Sequence, residues 1–196
     1  YKTGTLTEGK PTLTSVVVLD GRSEEAAVGM AAALELPSEH PLAAAFVAAA
    51  RARHLELPTV DGFLAEPGKG ISGTVAGSRI TLGNAAMMAQ ATVPVAGVAH
   101  ERAEVLRKEG HTVMYLAVDG RLSALLGVSD PIKPTTAEAI RALQAEGLRV
   151  VMVTGDNATT AGAVAAALKL DEVRADVLPA AKRDAIRELQ RQGRRL

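Results

Sequence analysis

After Asp130 the sequence alternates between short apolar runs and helical patterns, and this alternation constrains the fold more than any other feature. Thr135 and Glu138 have the spacing of a capping box, which predicts a helix that ends at Gly147. The elements predicted next are a strand at 150–153, a helix at 158–168, a strand at 173–176 and a helix at 179–190. This order is typical of a parallel sheet covered by helices, so we expect an α/β fold here.

The residues before Asp130 follow a different pattern. The predicted elements are a strand at 13–19, helices at 23–36 and 41–53, glycine-separated antiparallel strands between 60 and 82, a helix at 98–108 and a hairpin at 113–128. Asp119-Gly120 favours a type I′ turn in that hairpin. We therefore predict that residues 20–123 form an α+β unit on an antiparallel sheet, inserted into an α/β unit made of residues 1–19 and 124–196.

Composition excludes several classes of function. Lys plus Arg and Asp plus Glu number 22 each, so net charge gives no reason to expect a nucleic-acid partner. The absence of cysteine excludes disulfides, thiol catalysis and zinc–thiolate sites. The longest apolar run, at 42–50, is shorter than the roughly 18 to 20 residues that span a bilayer, and the polar first ten residues do not resemble a signal peptide. We expect the chain itself to be soluble.

Three segments of the α/β unit carry groups suited to phosphate chemistry. Their residues are Lys2, Thr3 and Thr5 at the start of the chain, Thr154, Gly155 and Asp156 at a strand-to-helix turn, and Lys182 one turn into the last helix. A hydroxyl group and backbone N–H groups at a helix N-terminus form a cradle for phosphate. Each segment also has a plain structural alternative: a loop rich in Thr and Gly, a common turn, and a solvated lysine.

Taken together, the motifs resemble the heavy-metal class of P-type ATPases, and most closely the copper pumps. Residues 2–7 match the family sequence Asp-Lys-Thr-Gly-Thr-Leu-Thr at every position but the first, and 130–133 resemble its return to the phosphorylation domain. Ser38-Glu39-His40-Pro41-Leu42 resembles the His-Pro motif of the heavy-metal class. The resemblance implies a haloacid-dehalogenase-like (Rossmann-like) phosphorylation domain with an inserted nucleotide-binding domain.

The resemblance also implies roles for individual residues. The catalytic set is Lys2, Thr3, Thr5, Thr154, Gly155, Asp156 and Lys182, with the backbone carbonyl of Thr3 as a possible magnesium ligand in the complete protein. The nucleotide set is Glu35, His40, Gly68, Gly70, Gly83 and Asn84, with Glu35 contacting adenine. Adenine needs an apolar slot with one or two hydrogen-bond partners, and glycine lacks the Cβ that would block it. With Pro41 in the first turn, His40 would cap its helix with the ring free to face a cleft.

A protein of this family couples ATP hydrolysis, through an aspartyl-phosphate, to metal export across a membrane. The implied cofactors are ATP and Mg²⁺. The implied partners are ATP or ADP and, in the complete protein, the membrane helices and actuator domain of the same chain. The implied location is the cytoplasmic portion of an integral membrane protein.

Two departures from the family pattern bear on activity. Tyr1 stands where the family has its nucleophilic Asp, and the chain stops before the family's Gly-Asp-Gly-x-Asn-Asp segment, which supplies magnesium ligands. Phosphoryl transfer needs an anionic oxygen in line with the phosphate beside magnesium, so we predict nucleotide binding without hydrolysis. Two alternatives stay open. One is a haloacid-dehalogenase-type phosphatase with residues 20–123 as its cap, and the other is a non-catalytic regulatory or interaction module.

Overall fold

The computed structural model describes residues 2–177 and 181–191. The chain divides into two compact units. The discontinuous unit comprises residues 1–9, 107–110 and 130–196, and the inserted unit comprises residues 10–106 and 111–129. The predicted arrangement of one unit inserted into another is therefore observed, with boundaries that differ from those expected.

The inserted unit is built on a six-stranded antiparallel sheet in the order β1-β6-β5-β4-β3-β2. Its strands are β1 (Thr12–Val18), β2 (Val60–Glu66), β3 (Gly70–Val75), β4 (Ser78–Gly83), β5 (Thr112–Val118) and β6 (Arg121–Ser129). Its helices are α1 (Glu24–Glu35), α2 (Ala43–Ala52), α3 (Ala85–Gln90) and α4 (Val98–Lys108), of which residues 107 and 108 are counted with the discontinuous unit. The β5–β6 turn has positive φ at both Asp119 (50°) and Gly120 (78°), as the predicted type I′ turn requires.

Strand β5 is apolar from Val113 onward, and both faces of the sheet are covered there. Val113, Tyr115 and Ala117 pack with Met87 and Met88 of α3 and with residues of α4. The alternate residues Leu116 and Val118 join a second core with α1 and α2 on the opposite face. A strand buried on one face alone would alternate apolar and polar residues.

The domain boundaries require a correction. Strand β1 pairs with β6 along its length, for example Val16 with Leu126, so β1 and all of β6 belong to the sheet of the inserted unit. The boundaries predicted at 19/20 and 123/124 fall instead at 9/10 and 129/130. The sequence prediction failed because β1 finds its partner more than a hundred residues away, and a strand pattern does not identify its partner.

The discontinuous unit contains α5 (Thr136–Ala145), β7 (Val151–Val153), α6 (Ala158–Leu168), β8 (Glu172–Arg174) and α7 (Lys182–Arg191). Strands β7 and β8 pair in parallel, as the alternating pattern predicts. Ile140, Met152, Ala161, Val164 and Leu168 form its core. A carboxylate oxygen of Asp171 accepts hydrogen bonds from the backbone N–H of Val150 at 2.7 Å and from Gln144 Nε2 at 3.1 Å, which ties α5 to the starts of both strands.

Several predicted element ends are wrong. The helix expected from Pro41 begins at Ala43 with Leu42 as its cap, because residues 40–42 form a separate turn. Thr135 makes no side-chain capping bond to α5, so the predicted capping box does not form. The strand expected at 173–176 ends at Arg174, and the φ of Asp176 is 55°, which a strand does not allow. The predicted helix start at Pro179 lies outside the described residues.

Candidate functional site

Three of the predicted phosphate residues, Lys2, Thr154 and Asp156, meet at one ion pair in the discontinuous unit. Lys2 Nζ lies 2.6 Å from Asp156 Oδ2, and the two side chains are 7% and 15% exposed. The hydroxyl of Thr154 donates to the same carboxylate oxygen at 2.9 Å and accepts a hydrogen bond from the backbone N–H of Asp156 at 3.1 Å. Asp156 therefore neutralises Lys2 within a largely dehydrated cluster.

The loop that carries Lys2 is fixed by its own backbone and by the segment at 130–136. The Lys2 carbonyl accepts hydrogen bonds from the backbone N–H groups of Thr5, Leu6 and Thr7. Lys133 Nζ donates to the carbonyl oxygen of Gly4 at 2.8 Å. These bonds engage two carbonyl groups of the loop and hold the backbone that carries Lys2.

A second buried contact joins the loop to the returning chain. Thr7 is fully buried, and its hydroxyl donates to Asp130 Oδ2 at 2.6 Å. Thr7 also forms an antiparallel bridge with Ile132. The sequence predicts Asp130 only as part of the returning segment at 130–133 and indicates no role for Thr7. The sequence did offer a signal for this contact: a hydroxyl residue, Thr7, in the first motif, and a carboxylate, Asp130, where the chain is predicted to return.

The remaining predicted catalytic residues are not drawn into this cluster by any described contact. Thr3, Thr5 and Gly155 are exposed. The N-cap of α6 is Asn157, whose side chain accepts from the backbone N–H of Thr160 at 2.9 Å. Tyr1 and the side chain of Lys182 lie outside the described part of the structure.

Glu35, the last residue of α1, is a buried acid in the inserted unit. Its side chain is 2% exposed, and among the described residues its Oε2 atom has no hydrogen-bond partner. Burial raises the pKa of this carboxyl, and a hydrogen bond from the Ser38 side chain offsets part of that rise. A buried carboxylate oxygen without a donor is costly in a folded protein, which makes Oε2 a candidate contact for a hydrogen-bond donor.

His40 lies at the surface, in the turn between α1 and α2. Its Nδ1 accepts a hydrogen bond from the backbone N–H of Leu42 at 3.2 Å, which assigns the proton of the neutral ring to Nε2. Neighbouring atoms partly desolvate the imidazole and lower its pKa. Ser38 contacts both predicted ligands: its side chain bonds Glu35, and its Oγ accepts from the backbone N–H of His40 at 3.2 Å. Sequence reasoning missed this bridging role.

The other four predicted nucleotide residues form one local cluster. Gly70 and Gly83 are partners across β3 and β4. A Cβ at Gly70 would overlap the carbonyl oxygen of Leu82 and lie 2.6 Å from Gly83 Cα. A Cβ at Gly83 would lie 2.5 Å from the carbonyl oxygen of Lys69. Both glycines are thus required by the close approach of two backbones, and their role in nucleotide binding stays a prediction.

Asn84 connects this cluster to α3. Its Nδ2 donates to the carbonyl oxygen of Gly68 at 2.8 Å, and its Oδ1 accepts from the backbone N–H of Met87 at 3.1 Å. Within the described residues, no recorded hydrogen bond joins this cluster to Glu35 or His40. Two surface cavities of about 450 and 250 Å³ lie elsewhere in the inserted unit, and neither is lined by a predicted ligand residue.

Neither a metal cluster nor a membrane span is found in the described ranges. Residues 2–177 and 181–191 contain no group of three or more His, Asp or Glu side chains placed to hold a metal ion. No helix within these ranges has the length and apolar character needed to cross a bilayer.

The sequence and the fold define a family. A profile of the haloacid dehalogenase-like hydrolases matches residues 2–196, so the chain belongs to this family. This assignment confirms the predicted α/β class with an inserted antiparallel α+β unit.

Curated relatives narrow the similarity to metal-transporting P-type ATPases. The chain is 49% identical over 192 residues to a copper-transporting P-type ATPase from Rhizobium leguminosarum bv. viciae. It is 44% identical, also over 192 residues, to a silver exporting P-type ATPase from Salmonella typhimurium. Both alignments cover 98% of this chain but 23% of the relative, so the chain spans about a quarter of the length of these proteins.

A solved structure gives the same result. The crystal structure of a zinc-transporting PIB-type ATPase in its E2.Pi state matches with a TM-score of 0.67 at 34% identity, over 97% of this chain and 30% of that one. The resemblance to heavy-metal P-type ATPases predicted from the motifs is thereby confirmed.

Proposed function

We propose that the inserted unit binds ATP or ADP through its adenine, and that the chain is the cytoplasmic catalytic region of a metal-exporting P-type ATPase. The observation that carries the proposal is the buried, unpartnered Oε2 of Glu35. The 6-amino group of adenine is a hydrogen-bond donor of the kind this oxygen lacks. The carbonyl at the same position of guanine offers only an acceptor, which a carboxylate repels.

His40 supports the same proposal with a second polar group. Its Nδ1 is occupied by Leu42, so the neutral ring presents an Nε2–H donor. Ser38 links the backbone at His40 to Glu35, which holds the two groups in one turn. One acceptor and one donor in a fixed relation suit a ligand that carries both an amine and acceptor atoms. His40 positions the ligand in this proposal and transfers no proton.

Copper is the metal we propose as cargo. The copper-transporting relative is 49% identical, the silver exporter 44%, and the zinc transporter 34%. The complete protein would add membrane helices and an actuator domain in the same chain.

For the discontinuous unit we propose a separate role in phosphate chemistry. The ammonium of Lys2 lies 2.6 Å from Asp156, and a phosphate group would compete with this carboxylate for the positive charge. Thr154 keeps Asp156 in place by donating to the same oxygen. The described residues do not form a magnesium site, so we assign no step to the magnesium that the family uses.

Isothermal titration with ATP, ADP, AMP and GTP tests the nucleotide proposal. We expect dissociation constants in the micromolar-to-millimolar range for the three adenine nucleotides and weaker binding of GTP. Glu35→Gln replaces the acceptor pair with one acceptor and one donor, and should weaken ATP by about five- to tenfold. Glu56→Gln, at an exposed glutamate of the same unit, is the matched control. Equal affinity for ATP and GTP, or unchanged ATP affinity in Glu35→Gln, would contradict adenine recognition by Glu35.

We also propose that this chain forms no phosphoenzyme. A tyrosine hydroxyl has a pKa near 10 and is neutral at pH 7, so Tyr1 offers no anionic oxygen for attack on phosphorus. Incubation with γ-labelled ATP, an acid quench and gel autoradiography should show no hydroxylamine-labile label. A label with that chemistry would mean that another carboxylate is the nucleophile.

A further inference from the structure

Both ends of helix α3 form hydrogen bonds with the turn between β2 and β3. At its start, the backbone N–H of Asn84 donates to the carbonyl oxygen of Lys69 at 2.8 Å, and Asn84 Nδ2 donates to the carbonyl oxygen of Gly68 at 2.8 Å. At its end, Gln90 Oε1 accepts a hydrogen bond from Lys69 Nζ at 2.6 Å. Three bonds from one short helix therefore converge on two consecutive residues.

The turn itself needs this support. The φ of Gly68 is 75°, and the backbone N–H of Lys69 closes the turn on the carbonyl oxygen of Glu66 at 3.0 Å. Gly68 and Lys69 are exposed, so few side chains pack against the turn. The hydrogen bonds from α3 supply the restraint that packing does not.

Each hydrogen-bonding group of Asn84 already has a partner within the protein. Its Oδ1 caps α3 by accepting from Met87, its Nδ2 is used on Gly68, and its backbone N–H is used on Lys69. We infer that Asn84 is a positioning residue of the nucleotide site, which fixes the Gly68–Gly70 backbone before ligand arrives and does not itself touch the ligand. This inference rests on the proposed function of the inserted unit.

A fixed turn favours binding because a loop that is already ordered loses less entropy when the ligand arrives. Removing the Nδ2 bond should therefore show its effect in the ligand-free protein, as a looser turn. A residue that contacts the ligand directly would show its effect only in the complex. This difference separates the two roles.

Asn84→Ser is the decisive variant. Serine caps a helix about as well as asparagine but has no amide to donate to Gly68. We expect an unchanged melting temperature, ATP binding weaker by about five- to tenfold, and faster hydrogen exchange at the Lys69 amide without ligand. Ser23→Ala is the control, because it removes the N-cap of α1 and destabilises the same unit without touching the turn. It should lower the melting temperature and leave ATP affinity and Lys69 exchange as in the parent chain.

Titration calorimetry and amide exchange by nuclear magnetic resonance give separable outcomes. If Asn84→Ser weakens ATP while exchange at Lys69 in the free protein is unchanged, Asn84 is a direct ligand and the positioning role is wrong. If neither quantity changes, Asn84 is only a helix cap and the role is again wrong. If the parent chain binds no ATP, the proposed function fails, and the positioning role fails with it.

Discussion

At the scale of single residues, burial and hydrogen bonding decide what each charged group contributes. Glu35 and Lys2 are both nearly inaccessible to water, but Lys2 is paired with Asp156, while one oxygen of Glu35 has no partner among the described residues. The positive charge of Lys2 is balanced by the carboxylate of Asp156. The acid at Glu35 costs stability unless it is protonated or meets a donor.

Glu35→Gln should therefore stabilise the ligand-free protein at neutral pH, while weakening ATP. The pKa of Glu35 is raised by burial, so the folded state binds its proton more tightly than the unfolded chain does. The contribution of this group to stability is greatest below the unfolded pKa of about 4.3 and is lost as pH rises through the folded pKa. Urea unfolding at pH 7 should show a gain of about 1 kcal/mol, which shrinks toward pH 4.

Glu56→Gln serves as the reference in that experiment as well, since Glu56 is exposed. A stability difference between Glu35→Gln and the parent chain that does not vary between pH 4 and 8 would contradict the assignment of a raised pKa to Glu35.

Two glycines offer a paired test of the backbone argument. Gly70→Ala should destabilise the inserted unit by about 2 kcal/mol or more, because the new methyl group would overlap the backbone of Leu82 in a paired strand. Gly162→Ala, in α6, meets no atom within 4 Å and should stabilise its helix by about 0.5–1 kcal/mol. Thermal unfolding of the two variants should give melting temperatures shifted in opposite directions. An unchanged melting temperature in Gly70→Ala would contradict the backbone argument and leave ligand approach as the reason for this glycine.

At the scale of helices and strands, two predicted N-caps give opposite results. Ser23 Oγ accepts from the backbone N–H of Ala26 at 3.1 Å, whereas the side chain of Thr135 makes no capping bond. Ser23→Ala should cost about 1 kcal/mol, and Thr135→Ala should cost close to nothing. Chemical denaturation followed by circular dichroism checks both. A cost at Thr135 equal to that at Ser23 would show that the capping box forms in solution.

The sequence was sufficient for elements whose signals are local. The Asp119-Gly120 turn, the Ser23 cap and the parallel pair of β7 and β8 follow from neighbouring residues, and all three are observed. Element ends such as the start of α2 failed, because Pro41 fits the first turn of a helix and also fits the separate turn found there.

The candidate site was predictable by residue type but not by contact. Sequence motifs named Lys2, Thr154 and Asp156, and the structure brings these three together. The bonds of Ser38 to Glu35 and of Thr7 to Asp130 were not predicted, because they depend on side-chain directions that spacing alone does not determine.

At the scale of the whole molecule, the corrected boundaries predict which fragment folds. Residues 10–129 contain all six strands of the sheet and both cores of the inserted unit. Residues 20–123 lack β1 and most of β6, including Leu126 and Val128 of the core. The first fragment should unfold cooperatively and bind ATP as the full chain does, and the second should not fold cooperatively. Circular dichroism melting distinguishes them, and equal cooperativity in both would argue for the narrower boundaries.

The pairing of β1 with β6 also bears on the order in which the chain assembles. The contact between Thr7 and Asp130 closes a loop of 123 positions, and residues 2–9 leave the ribosome long before their partners are made. Once Thr12 has paired with Ser129, the two ends of the inserted unit are neighbours. Only a few residues then separate this pair from Thr7 and Asp130. Closing this short remaining loop costs about 2–3 kcal/mol less in chain entropy than closing the 123-position loop of an unfolded chain. The inserted unit is thus expected to fold first during translation. Its folding brings the segments 2–9 and 130–136 of the discontinuous unit close together, so that they can pair.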